Sequence, residues 1–318
     1  FRKVMSEVIR LFEVGPRDGL QNLEGDITVE SKFNLIEMLR DAGLDRIEVG
    51  SFVNPKYVPQ MEDTKELFSL LLDKLKGVKG LSVLVPNKKG VEIAGSVGAE
   101  LLNIYVSPSP KFLNENHGTF ELPEVFDKYD SALENVPKES IRAYISLAFD
   151  SPFDDWDTKS VEDCLLWCSE KAKTVVLADT AGMATEGRMT EVIKMARRHM
   201  SMDRLALHLH EPQTKKMTFD KLLTTAYLSG IREFDSSIGG LGGCPYVPGS
   251  FGNLPTEYIV DWAEFYGIPI EQEINKSRLE AARLYAESIT NTPLTERLTR
   301  FISGKLSGIR RRWIGGAA

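Results

Sequence analysis

The chain has 318 residues, 42% of them hydrophobic, with a formal net charge of −7 and a pI near 5.4. That length suits one large α/β barrel as well as two smaller units. The acidic balance excludes a general nucleic-acid binder, which needs a basic face, and no apolar run reaches the ~18 residues that span a bilayer.

The predicted elements alternate from the start. Val8–Val14 reads as a strand and Val29–Ala42 as an amphipathic helix. Arg46–Val49, Leu81–Val85, Leu101–Val106 and Arg142–Ala148 are further strand candidates. Between and after them, Thr64–Leu75, Lys89–Val97, Val125–Asn135 and Val161–Ala172 show helical spacing. Thr174–Leu177, Leu205–His210 and Ile231–Asp235 complete eight strands, interleaved with helices at Met189–His199 and Thr218–Leu228. Strands and helices in this rhythm make βαβ units and a parallel sheet, and eight of them fit a closed (β/α)8 TIM barrel. The open doubly wound alternative expects a glycine-rich dinucleotide loop after the first strand. Gly15-Pro16-Arg17-Asp18-Gly19 has the wrong spacing for it.

Two additional C-terminal helices, Thr256–Tyr266 and Ile274–Ile289, follow the eighth strand. The expected division is a barrel with these helices over residues 1–292 and a basic tail over 293–318. In that tail Arg297, Arg300, Lys305, Arg310, Arg311 and Arg312 face one acid, Glu296, which reads as a solvated segment or a contact for an anionic ligand. Three cysteines supply no disulfide framework. Cys164 and Cys168 share a helix face and read as small core residues. A reducing cytoplasm is the expected compartment. Phe1–Met5 carries no apolar signal segment, and the missing initiator Met leaves room for a removed organellar leader.

His208 and His210 are the most informative pair. They lie two apart in the apolar run Leu205–His210, so a strand places both imidazoles on one face, about 7 Å apart along the backbone. Such a pair can hold one divalent metal or be two hydrogen-bonded core residues. Position favours the metal, because in a barrel chemistry collects where strands end. Strand one ends in Arg17-Asp18, strand two in Glu48 followed by Ser51, strand six in Asp179 and strand eight in Asp235-Ser236-Ser237. Asp18 is the leading carboxylate ligand, since strands one and eight adjoin in a closed barrel. Asn253, between glycine-rich neighbours, offers a neutral amide oxygen. This mixed N/O set suits Mg²⁺ or Mn²⁺ more than structural Zn²⁺. Arg17 can pair with Glu48 or Asp179, or stabilise an enolate oxygen. Gly239–Gly243 can move, and it would deliver Cys244 as a proton donor or acceptor.

With these residues in place, the chain resembles the 3-hydroxy-3-methylglutaryl-CoA lyase family, within the metal-dependent lyase-type TIM barrels that also include isopropylmalate and homocitrate synthases. The resembling stretches are Phe12–Asn22, Ile47–Gln60, Val85-Pro86-Asn87, Ala178–Gly182, His208-Leu209-His210 and Asp235–Asn253. The run GGLGGCPY sets the lyases apart from the synthases. The resemblance implies that Asp18, His208, His210 and Asn253 bind a divalent cation, Mg²⁺ or Mn²⁺ first, with Zn²⁺ or Co²⁺ in range. It implies that Arg17 contacts the thioester and the developing enolate. Cys244 would be the catalytic loop cysteine, with Glu48, Asp179, Gln21 and Ser51 supporting catalysis and substrate binding. The implied partner is a small acyl-CoA, with no nucleic acid or membrane, in a homodimer.

The implied reaction is retro-Claisen cleavage of 3-hydroxy-3-methylglutaryl-CoA or a close analogue to acetyl-CoA and a keto acid such as acetoacetate, with His208 or Asp179 as base. Citramalyl-CoA or a longer-chain hydroxyglutaryl-CoA is the nearest alternative substrate. A Claisen-type synthase and a barrel scaffold without catalysis stand further off. The chain departs from the family at Glu211-Pro212 after the second His, at Phe149–Phe153 after strand five and at Val176. These positions bear on the acyl side chain, and Lys215 and Lys216 on a phosphate or second carboxylate.

Overall fold

The computed structural model describes residues 7–23, 25–214, 216–242, 252–296 and 298. Cys244, Lys215 and nearly all of the basic tail lie outside them. The strands are β1 (Arg10–Glu13), β2 (Ile47–Ser51), β3 (Leu81–Leu84), β4 (Leu101–Val106), β5 (Ile141–Ile145), β6 (Thr174–Asp179), β7 (Leu205–Leu209) and β8 (Glu233–Ser236). All neighbours are parallel, and β1 pairs with β8 from Arg10↔Glu233 to Glu13↔Ser236, closing a barrel in sequence order. The predicted (β/α)8 barrel is therefore the observed fold.

The helices are α1 (Val29–Asp41), α2 (Thr64–Lys74), α3 (Lys88–Ser96), α4 (Pro110–His117), α5 (Leu122–Ala132), α6 (Thr158–Lys171), α7 (Glu186–Ala196), α8 (Phe219–Leu228), α9 (Thr256–Tyr266) and α10 (Lys276–Thr290). None among the described residues is long and apolar enough to cross a membrane. Most begin where a short polar side chain caps the first amides: Thr28, Asn87, Ser109, Asp157, Thr185, Thr218 and Asn275 each accept from the residue three ahead. Helix α4 was not foreseen. Its apolar period is weak, but Ser109-Pro110 starts it and Gly118, left-handed at φ 69°, stops it.

The main apolar core lies between the outward strand faces and the helices, and includes Phe149, Cys164, Cys168 and Trp262. The barrel interior instead combines a small apolar cluster of Tyr144, Val176 and Ala206 with a buried polar set. Glu48, Ser82, Asn103, Arg142, Glu233 and Asp235 are all buried. Closure is thinnest between β1 and β2, which share one register pair, Glu13↔Ile47. Gln272 fills that gap. Its amide nitrogen donates to Leu11 O at 2.8 Å, and its oxygen accepts from Leu11 N at 3.2 Å. A side chain thus satisfies backbone groups that would otherwise be buried without partners.

Candidate metal centre and surrounding active site

After β1 the chain makes one wide turn, Gly15–Gly19, in which the amides of Asp18 and Gly19 both reach Val14 O, at 2.8 and 3.3 Å. This turn carries Arg17 and Asp18 over the barrel mouth. The adjoining part of the mouth is built by the segment that returns over β7 and β8. Glu211 N donates to Gly252 O at 2.8 Å and Leu254 N to Leu209 O at 2.9 Å, so Asn253 bridges directly to His210. Ser237 N to Leu254 O, 2.9 Å, ties the same segment to the end of β8.

Asp18, His208 and His210 come together with all three candidate ligand atoms within 4.8 Å of one another. His208 Nε2 and His210 Nε2 are 3.0 Å apart. Asn253 Nδ2 donates to Asp18 Oδ2 at 2.7 Å and to Leu241 O at 2.8 Å. Its Oδ1 is buried with no hydrogen-bond partner among the described residues. The group is shielded, with Arg17 and Asp18 7% exposed, His208 6%, His210 3% and Asn253 1%. Two imidazole nitrogens and a carboxylate at one point, with an orphaned amide oxygen on the adjoining Asn253, are a donor set for a divalent cation. Gly242 is required here, since a Cβ would fall 2.4 Å from Asn253 Nδ2.

The predicted supporting residues divide. Arg17 Nε donates to Glu48 Oε2 at 2.5 Å and its Nη1 to Asp18 Oδ1 at 2.8 Å, so the partner of Arg17 is Glu48 rather than Asp179. Gln21 Nε2 also donates to Asp18 Oδ1, at 2.7 Å. Glu48 accepts from Asn103 Nδ2 at 2.7 Å. Ser51, expected to meet substrate, lies at the end of β2, where its Oγ donates to Leu84 O at 3.4 Å and accepts from Val53 N at 3.3 Å. Asp179 does not cap α7, a role held by Thr185. Its Oδ1 accepts from Met183 N and Ala184 N at 2.9 and 3.0 Å, and its Oδ2 is buried without a partner among the described residues.

Asp235 was placed at the rim without a role, while Glu13, Arg142, Tyr144 and Glu233 escaped the sequence reading. His208 Nδ1 stands 3.1 Å from Asp235 Oδ2, which also accepts from Tyr144 Oη at 2.8 Å, and Arg142 pairs with both Asp235 and Glu233. Behind β1, the Glu13 carboxylate accepts from Gly15 N and Ile238 N at 2.9 Å each and from Thr256 Oγ1 at 2.6 Å. The signal available was a run of charged residues at every second strand position, where an ordinary barrel interior carries aliphatic ones.

Burial and neighbouring charge tune these groups. Burial alone would raise Asp18, but Arg17 and then the two imidazoles hold its carboxyl below the usual range. Burial pushes Glu48 up, against the pull of Arg17 and Asn103. Burial lifts Asp179 to about 7, against the Ala184 and Met183 amides. Burial disfavours the His208 imidazolium, yet the hydrogen bond and charge of Asp235 outweigh it and raise the ring above its ordinary value.

Comparison with known proteins places the chain in a family. The HMGL-like family model matches residues 8–284. The human mitochondrial hydroxymethylglutaryl-CoA lyase is 34% identical over 288 residues, which cover 88% of this chain and 86% of that protein. A Pseudomonas aeruginosa protein described as a 3-hydroxy-3-isohexenylglutaryl-CoA/hydroxy-methylglutaryl-CoA lyase is 36% identical over 263 residues, 79% of this chain and 83% of its own. Among solved structures, the HMG-CoA lyase of Bacillus subtilis superposes with a TM-score of 0.82 at 31% identity, covering 94% of this chain and 99% of that one. The Acinetobacter baumannii HMG-CoA lyase, solved in complex with coenzyme A and 3-methylmalate, gives 0.79 at 30%, covering 91% and 94%.

Proposed function

Because the chain belongs to the HMGL-like family, we propose that it is a metal-dependent carbon–carbon lyase. It cleaves 3-hydroxy-3-methylglutaryl-CoA or a close analogue to acetyl-CoA and a keto acid, acetoacetate in the first case. One observation carries the reading: Asp18, His208 and His210 converge within 4.8 Å, beside the orphaned Oδ1 of Asn253.

These four residues would hold the divalent cation, Mg²⁺ or Mn²⁺ by the chemistry of the donors. When bound there, the cation supplies positive charge beside the substrate's tertiary hydroxyl and lowers the hydroxyl pKa. Asp179 takes the hydroxyl proton. Its Oδ2 lacks a partner among the described residues and its carboxyl sits at about 7, so it exchanges a proton near neutrality. His208 is less suited as base, because its Nδ1 faces Asp235 and its Nε2 faces His210. As the hydroxyl oxygen becomes a carbonyl, the C2–C3 bond breaks and its electrons pass onto the thioester as an enolate. Arg17, fixed by Glu48, sets a cation against that charge. Protonation of the enolate carbon, by Cys244 or a water, releases acetyl-CoA; the family resemblance makes Cys244 the loop cysteine required for catalysis.

An analogue with a different C3 substituent is the second reading, and the apolar cluster after β4–β6 is where side-chain selectivity would be sought. Phe112, Leu147 and Ala181 pack together with Tyr105, Phe153 and Met183 on the β4–β6 side. Leu147 sits at φ 56°, a strained value for leucine. Phe149 belongs to the main core and does not join them. We further read the chain as a homodimer acting in the cytoplasm or an organelle; its folded unit runs past the expected boundary at 292, since Leu294 and Leu298 are buried in the main core.

The test is incubation with Mg²⁺ or Mn²⁺ and each of 3-hydroxy-3-methylglutaryl-CoA, a longer 3-alkyl analogue and citramalyl-CoA, with mass detection of acetyl-CoA and the keto product. Acetyl-CoA plus an α-keto acid probes the synthase direction. Cleavage that a chelator abolishes and added metal restores is expected. No acetyl-CoA from any substrate with either metal refutes the proposal.

A further inference from the structure

A line of alternating charge runs through the barrel from its floor to the metal position. Arg10 Nε stands 3.3 Å from Glu233 Oε2. Glu233 pairs with Arg142, Arg142 pairs with Asp235, and Asp235 meets His208. Arg142 also lies over the face of the Phe12 ring, 4.1 Å from its centroid, so packing as well as charge holds its guanidinium. Asp235 is 1% exposed and is wholly committed: Oδ1 accepts from Arg142, while Oδ2 accepts from Tyr144 Oη at 2.8 Å and faces His208 Nδ1 at 3.1 Å. The Tyr144 ring meets the His208 ring edge-on, centroids 6.1 Å apart, which limits rotation of the imidazole.

We propose that Asp235, clamped by Arg142 and Tyr144, is the positioning residue that selects the Nδ1–H tautomer of His208 and so presents its Nε2 lone pair to the cation. The logic is that of donors and acceptors. An ionised carboxylate only accepts, so the imidazole nitrogen facing Asp235 carries the hydrogen, and the other nitrogen is left bare toward Asp18 and His210. Arg142 keeps the carboxylate in that accepting form by pairing with Oδ1. Partners of this kind behind a ligating histidine are worth about 10–100-fold in metal affinity. The inference rests on the metal reading above, but the histidine tautomer is observable without any metal.

The experiment uses the full chain as wild type, Asp235→Asn and Tyr144→Phe. Melting curves establish folding, Mn²⁺ affinity is measured by electron paramagnetic resonance, and the His208 tautomer is read from ¹⁵N–¹H correlation spectra of the metal-free protein at a pH high enough for the ring to be neutral. Wild type should show His208 protonated at Nδ1. Asp235→Asn should lose that signature and bind Mn²⁺ about 10–100-fold more weakly, and Tyr144→Phe should shift both in the same direction by less. A folded Asp235→Asn protein that keeps the Nδ1–H signal and wild-type Mn²⁺ affinity overturns the proposal. If Asp235→Asn does not fold, an unchanged tautomer and affinity in Tyr144→Phe overturn it. Wild type that binds no Mn²⁺ refutes the metal reading instead, and the tautomer spectra still decide the role of Asp235.

Discussion

Replacing Arg17 with methionine separates the structural work of this residue from its catalytic work. The side chain is 9% exposed and touches two acids, Glu48 at 2.5 Å and Asp18 at 2.8 Å, while the Glu48 side chain is fully buried. Removing one partner of a buried pair costs about 3–5 kcal/mol, because the remaining charge is left uncompensated. Unfolding entropy near 2.1 cal/mol/K per residue gives roughly 0.7 kcal/mol/K for a chain of 318 residues. The Arg17→Met melting temperature should therefore fall by about 4–7 °C. Burial already raises Glu48, and loss of the guanidinium raises it further. A carboxyl whose folded value lies above its unfolded value contributes most below the unfolded value and loses that contribution as pH rises. The deficit should accordingly be large at pH 8 and shrink toward pH 5. Adding Glu48→Gln should recover most of the stability but none of the turnover, since the cation facing the enolate remains absent. Thermal melts at both pH values and an acetyl-CoA release assay on all variants decide the matter. An Arg17→Met protein that melts like wild type refutes the buried-pair argument, and a double variant that regains turnover refutes the enolate contact.

Asn253→Ala deletes a hydrogen bond to the Asp18 carboxylate and one to Leu241 O. It should destabilise the metal-free protein by about 2–4 kcal/mol in chemical denaturation, and a loss under 1 kcal/mol contradicts the geometry. Burial lifts Glu13 to about 7 and Glu257 to about 8 from an ordinary 4.5, so their contribution to stability is full below about 4.5 and is lost as pH rises through those values. Glu257→Gln should flatten the fall in denaturation midpoint between pH 5 and 8.5; an unaltered slope rejects the assignment. Gly182, at φ 64°, lies where a Cβ would come 2.2 Å from Glu211 O, so Gly182→Ala should cost more than the roughly 1–2 kcal/mol of the left-handed conformation alone. Wild-type stability in that variant would show that the turn relaxes freely. Cys164 and Cys168 are fully buried, and burial pushes both thiols far up. Maleimide should leave both unmodified until denaturant is added, as read by peptide mass mapping.

What could be read before the structure was known follows from range along the chain. The His208-x-His210 spacing is a local fact of strand geometry, and the alternation of eight apolar runs with amphipathic stretches is local too. Both transferred to the folded chain with shifts of a few residues. Asp18 was reachable because barrel closure obliges the first strand to adjoin the eighth, and Arg10↔Glu233 through Glu13↔Ser236 is that closure. Asn253 needed more: the segment carrying it folds back and bridges to His210, a pairing that no periodicity encodes. For Ser51 the end of a strand fixes where the residue lies but not which way its hydroxyl turns, and here it bonds the backbone of Leu84 and Val53.

The interior charges were harder still. Arg142 and Glu233 each look like a solvated position of a half-exposed strand, and Asp235 at the rim has no visible partner, because an alternating pattern reads the same whether its polar face meets water or the inside of a cylinder. Only closure distinguishes the two, and closure changes the energetics. Three such residues in solvent would cost little to replace singly. Enclosed, each is matched to the next, from Arg10 through to His208, so a substitution on the barrel floor leaves an uncompensated charge beneath the metal position. That coupling makes the polar interior part of the site: the residues that satisfy one another's charge also orient the imidazole on which cation binding depends.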